Sequence, residues 1–146
     1  MNLSELTARI QISTAKVALV VTMFRGNVGD IRFINSNGVE FITIRTKSAA
    51  LKREVQSRKA PRINSIHSIV SLNSDNPDVI RLGAILAEVT DVPVVKSDGI
   101  MPLGSDYSNM GSIVLDAPKS GSVIWTHYHS ADGMEIGPRI SVKSIQ

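Results

Sequence analysis

Asn76-Pro77-Asp78-Val79-Ile80-Arg81-Leu82-Gly83-Ala84-Ile85-Leu86-Ala87-Glu88-Val89-Thr90 carries the sharpest periodicity in this sequence. Val79, Leu82, Ile85, Leu86 and Val89 recur at three- and four-residue intervals, which predicts an amphipathic helix over about 78–90. Asp75 or Asn76 supplies its N-cap, and Pro77 takes the first helical position, where a missing N–H costs least. On either side, 67–72 and 92–96 have the short apolar pattern of strands. A strand–helix–strand run predicts two parallel neighbours joined by a right-handed crossover.

Towards the N-terminus, Asn2-Leu3-Ser4-Glu5 has the form of a capping box. Leu3, Leu6 and Ile10 then mark a short amphipathic helix to about Ser13. Residues 16–24 are β-rich, although their spacing also permits a helix; the turn chemistry of 25–30 and the strand pair beyond it favour a strand. That pair, 31–35 and 39–45, flanks Asn37-Gly38, the residues a type I′ turn demands because both need positive φ. Within each strand apolar groups alternate to opposite sides. Ile31, Phe33, Val39 and Phe41 are assigned to one face and Ile34, Ile42 and Ile44 to the other, so the hairpin is expected to be covered on both.

Towards the C-terminus, 97–110 is a long polar loop, of a length usually reserved for function or for a partner. Residues 112–115 and 122–128 form a second expected hairpin, and 139–143 a last strand. The fold class is therefore α+β. A single domain over 1–146 is expected, mostly antiparallel hairpins with a short N-terminal helix and one well-defined amphipathic helix. No repeat or linker marks a boundary.

Composition narrows the function. With 42% hydrophobic and 20% charged residues the chain is globular in character. Its longest apolar run, 17–21, is too short to cross a bilayer and lies too late for a secretory signal. Cytoplasmic synthesis without a membrane partner is expected. The absence of cysteine excludes disulfides, thiolate metal sites and cysteine nucleophiles. The net charge of +3 is unevenly spread. Arg45, Lys47, Lys52, Arg53, Arg58, Lys59 and Arg62 face only Glu54 within the segment 45–62, which leaves the remaining residues slightly acidic. A basic run on an acidic body suits an anionic partner, another subunit or the phosphates of a nucleic acid. No aromatic residue interleaves it to stack on bases.

Ser122-Val123-Ile124-Trp125-Thr126-His127-Tyr128-His129-Ser130-Ala131-Asp132 is the other informative stretch. On a strand, His127 and His129 share a face and can approach one divalent metal ion, with Asp132, Glu135 or His67 as a third ligand. An apolar strand entering His-x-His resembles the metal-binding strand of JAB/MPN-type metalloproteases, which implies a small metal-dependent hydrolase. The sequence departs from that pattern: Ser130 stands where the proline belongs, and no Ser-x-x-Asp follows. No Gly-x-Ser-x-Gly, dinucleotide or Walker-type motif is present. Trp125 and Tyr128 are candidate interface anchors.

Taken together, these features favour a non-enzymatic assembly subunit binding copies of itself and other subunits. A phage-type virion cement, connector or tail component is the leading expectation, with no cofactor and with incorporation into a virion. A His-x-His metal hydrolase and an anion- or nucleic-acid-binding module using Arg45 to Arg62 are the alternatives.

Overall fold

The computed structural model describes residues 2–50, 62–72, 75–118 and 122–146, except for the side chain of Phe24. The residues group into two compact units, 1–48 with 142–146, and 49–141. The class is α+β, mostly antiparallel, with a short N-terminal helix, as the patterning requires.

In the first unit, helix α1 (Leu3–Ser13) is capped by the Asn2 side chain, which accepts from the Glu5 N–H at 2.8 Å. Ile10 is its buried anchor. Strands β1 (Val17–Phe24), β2 (Asn27–Asn35) and β3 (Glu40–Ala50) follow as an antiparallel meander. The 16–24 ambiguity thus resolves to strand. β3 runs through 46–50, and 51–59 lies outside the described residues.

Two hairpin expectations are corrected. Arg25 and Gly26 both have positive φ, 51° and 81°, and link Phe24 directly to its partner Asn27. That is where the two-residue turn with left-handed backbone lies. At Asn37-Gly38 only the glycine is left-handed, with φ 79°. Its N–H donates to Asn35 O and the Asn35 N–H to Val39 O, each at 3.0 Å, which closes a three-residue loop. The Asn35 side chain also accepts from the Asn37 and Val39 N–H groups, so the asparagine that organises this turn precedes the Asn-Gly pair.

The second correction concerns the faces. β2 pairs with β3 in the register Ile31↔Ile44 and Phe33↔Ile42, so those four side chains share one face. A bulge beyond Phe33 removes the regular alternation near Phe41. Phe33 and Ile44 are fully buried, while Val39 and Phe41 remain 54% and 41% exposed. Ile34, on the opposite side of β2 from Phe33, is also buried at 7% exposure, so cover is two-sided there and missing at Val39 and Phe41.

Gly38 also has a packing role. A Cβ there would stand 2.8 Å from the Thr7 Oγ1 of α1. Gln11 on the same helix donates to Ser36 O at 3.0 Å, so α1 rests on this turn. Gly38→Ala is expected to cost about 1–2 kcal/mol from the left-handed backbone. The Thr7 contact adds to that cost. A urea melt checks it, and Thr7→Ala should recover part of the loss.

The second unit contains β4 (Ser65–Ser71), α2 (Pro77–Thr90), β5 (Val94–Lys96), β6 (Met110–Asp116) and β7 (Val123–His129). β8 (Arg139–Ile145) begins in this unit and ends in the first, where Thr43 and Gln146 exchange backbone hydrogen bonds. Asn76 is the α2 N-cap, accepting from the Asp78 and Val79 N–H groups, and Pro77 opens the helix. Val79, Leu82 and Leu86 are buried and Ile85 and Val89 half-buried, so the expected stripe is the one that packs. β4 and β5 are parallel, as a strand–helix–strand run implies, and β4 is also parallel to β6. β6 and β7 form the expected antiparallel hairpin. Gly111 to Leu115 are all buried because β6 lies between two strands and is covered on both faces. No helix among the described residues is long and apolar enough to cross a membrane.

Candidate functional site

β7 delivers the polar residues of the second unit to a short loop that turns back through Glu135. Along the strand, Val123 and Trp125 are buried at 3% and 5% exposure. Trp125 is thus a core residue and not an exposed interface anchor, because it sits opposite buried Leu115 on the central strand β6. Its indole ring lies 6.1 Å from that of His127. Tyr128 is half-buried. Burial, and then the negative Glu135, push its phenol above the usual range.

The two imidazoles of β7 are committed to different partners. His127 Nδ1 donates to Pro138 O at 2.9 Å. His129 Nε2 donates to Ser108 O at 2.8 Å, and its Nδ1 stands 3.0 Å from Asp132 Oδ1 without forming an aligned hydrogen bond. The Nε2 of His129 is thus taken up by a backbone carbonyl, while its Nδ1 faces the Asp132 carboxylate. Asp132 in turn accepts from the Met134 N–H. Among the described residues no group of three or more His, Asp or Glu is placed to hold a metal. His127, His129 and Asp132 therefore do not form the ligand set their spacing suggested. His67 lies edge-on to the Tyr107 ring at 5.0 Å and lines the same cavity as His129.

Glu135 is held tightly. It accepts from Thr126 Oγ1 at 2.9 Å and from Arg139 Nε at 3.0 Å, and Arg139 Nη2 completes a two-pronged pair. Burial alone would raise its carboxyl; the hydrogen bonds from Arg139 and Thr126 outweigh this and leave it below the usual range. Burial lowers His127 from its ordinary 6.5, partly opposed by the Pro138 carbonyl and the Glu135 charge. The folded chain thus favours neutral His127, whereas the unfolded chain takes up a proton near 6.5. The stabilisation is complete above that value and is lost as pH falls below it. Glu135 has the same sign in a lower window, below about 4.3. Thermal melts between pH 7 and 5 are expected to show a loss of stability that is smaller in His127→Asn, whose amide keeps a donor for Pro138 without titrating. An unchanged slope in that variant would assign the loss elsewhere.

The 97–109 loop, flagged by its length, is tied down along its course. Leu103 and Gly104 donate to Ser130 O and Ala131 O, and Asn64 donates to Asn109 O. Beneath it lies a cavity of about 220 Å³ with the buried hydroxyls of Ser68, Ser112 and Ser130 in its lining. Sequence reasoning missed this site. Its one legible signal was the loop length; the serines gave none, since a buried serine and a surface serine read alike.

Of the basic run, Arg45 and Lys47 project from the same side of β3, two residues apart and exposed, in the first unit. Arg62 is exposed in the second. Lys52, Arg53, Arg58 and Lys59 lie outside the described residues.

The fold is similar to those of solved archaeal proteins. The crystal structure of a probable ribosomal biogenesis protein from Aeropyrum pernix K1 matches with a TM-score of 0.68 at 16% identity, over 97% of this chain and 75% of that one. Mil, an archaeal Imp4-like protein, matches with a TM-score of 0.58 at 15% identity, over 100% of this chain and 77% of that one. No protein-family model and no curated protein matches the sequence. What is shared is the fold. The phage-type role is overturned by these neighbours: a virion cement, connector or tail component, and residence in a virion, give way to a fold found in a ribosomal biogenesis protein and an Imp4-like protein.

Proposed function

We propose that this chain is a ribosome-assembly factor that binds RNA through backbone phosphates and works alongside other protein subunits. The observation that carries it is fold likeness over nearly the whole chain, 97% at a TM-score of 0.68, to a protein described as acting in ribosomal biogenesis. A second neighbour, described as Imp4-like, supports the same assignment. The chemistry of the chain agrees with it. Seven cations against one acid over 45–62 suit phosphate contact, and exposed Arg45 and Lys47 present two of them from a rigid strand. The lack of interleaved aromatics points to binding by charge and shape of folded RNA in preference to stacking on single-stranded bases.

Two measurements test this. The tagged chain, expressed in its own cells, should co-sediment with precursor ribosomal particles, and crosslinking should recover ribosomal RNA. Its depletion should cause precursor ribosomal RNA to accumulate. A chain that stays at the top of the gradient, crosslinks to no ribosomal RNA and leaves processing unchanged on depletion is not an assembly factor.

A further inference from the structure

On the sheet face of the second unit away from α2, residues 97, 99–101 and 103 share the lining of the 220 Å³ cavity with Ser68, Val70, Val95 and Ser112. The alternation is responsible. Ile69 and Leu115 are buried in the main core, where Leu115 reaches Gly83 of α2, so Ser68, Val70 and Ser112 point to the opposite side. The walls are apolar: Val70, Val95, Ile100, Met101 and Leu103. The polar groups are hydroxyls, with the imidazoles of His67 and His129 beside them. Ser112 Oγ and Ser130 Oγ are 3.2 Å apart, so one donates to the other and the second keeps a proton to offer.

Size and charge select the occupant. At about 220 Å³ the cavity is below the roughly 300–1,000 Å³ of pockets that take whole small ligands. It suits one bulky side chain with a polar tip. Three acids border it: exposed Asp98 lies between lining residues Ser97 and Gly99, exposed Asp106 adjoins Tyr107 on His67, and Asp132 faces His129. Lys96 is the one cation adjoining the lining among the described residues. A nucleotide would bring phosphate against these carboxylates, whereas a basic peptide would be attracted. The chain's own basic run holds no aromatic residue, so a second copy does not supply the anchor from that segment.

We propose that this cavity docks a partner protein by taking one tyrosine side chain from a segment flanked by lysine and arginine. The ring fills the apolar walls and its hydroxyl meets the Ser112–Ser130 pair, the combination of apolar body and polar tip that makes tyrosine an effective interface anchor. This adds a protein contact to the assembly role and does not use the basic run.

The test is fluorescence anisotropy on the intact chain, with a labelled peptide carrying a central tyrosine among lysines and arginines. Replacing that tyrosine by alanine should weaken binding at least about thirtyfold. Val95→Trp and, separately, Leu103→Trp should abolish binding by filling the cavity while melting cooperatively. Asp98→Asn with Asp106→Asn should weaken it and flatten its salt dependence. An alanine-centred peptide that binds equally well overturns the proposal. So does full binding by both folded tryptophan variants. Displacement of the peptide by a single-stranded oligonucleotide, lost in Val95→Trp, would assign the cavity to a nucleobase and equally overturn a protein partner. Sedimentation with ribosomal precursors is scored separately, so the assembly role and the peptide site can fail independently.

Discussion

Binding of folded ribosomal RNA by this chain is expected to weaken about a thousandfold as monovalent salt rises from about 50 to 200 mM. Phosphate contacts release condensed counterions in proportion to the cations that make them. If Arg45, Lys47, Lys52, Arg53, Arg58, Lys59 and Arg62 all engage, the slope of log K on log salt is about −5 to −6. Replacing all seven by glutamine or serine should remove most of that slope and most of the affinity at low salt. It should leave the fold intact, since Arg45, Lys47 and Arg62 are exposed and changes at such positions usually shift stability by no more than about 0.5 kcal/mol each. Electrophoretic or filter-binding titrations at four salt concentrations measure both quantities. An affinity indifferent to salt, or an unchanged slope in the seven-fold variant, would mean that RNA is held by other groups or is not the ligand.

Phe33→Ala is expected to destabilise the first unit by about 3–5 kcal/mol, the range for emptying a large aromatic site in a packed core. Phe33 is fully buried on the face it shares with Ile31, Ile42 and Ile44. Such a loss is a large share of the roughly 5–15 kcal/mol that holds an ordinary domain together. Phe41 is the control. It is 41% exposed and meets Phe33 edge-on with ring centres 6.1 Å apart. Removing it should cost about 0.5–1.5 kcal/mol, the worth of such an aromatic contact. Chemical denaturation of both variants decides the matter. Equal losses would show that the two phenylalanines are buried alike and that the β2–β3 register is wrong.

That pair of residues also marks where local pattern stops being informative. Strand by strand, alternation is legible, and each of the two phenylalanines falls on an identifiable side of its own strand. Which side of β2 adjoins which side of β3 depends on register, and a single bulge beyond Phe33 changes it. The same limit applies at the turns. Asn-Gly is a strong signal for a two-residue hairpin, yet Asn35 captures the Asn37 and Val39 N–H groups and lengthens that loop. The tight left-handed turn went to Arg25-Gly26, where the pairing of Phe24 with Asn27 imposes it.

For the histidines, sequence spacing supplied proximity and tertiary structure supplied direction. Residues two apart on a strand share a face whatever surrounds them. Whether their lone pairs converge depends on what each ring meets, and here Pro138 O, Ser108 O and Asp132 draw the two rings apart.

By itself the sequence determined the elements with strong local physics. Helix α2, with its Asn76 cap, Pro77 start and apolar stripe, is legible because capping and helical periodicity act over a few residues. The flanking parallel strands follow from chain connectivity, and the basic run follows from composition. Only the tertiary structure decided register, the direction of the imidazoles, the burial of Trp125, and the hydroxyl-lined cavity beneath the 97–103 loop. Each of these depends on contacts between residues far apart in the chain. Their energies are set by which surfaces meet, and no local pattern of residue types carries that information.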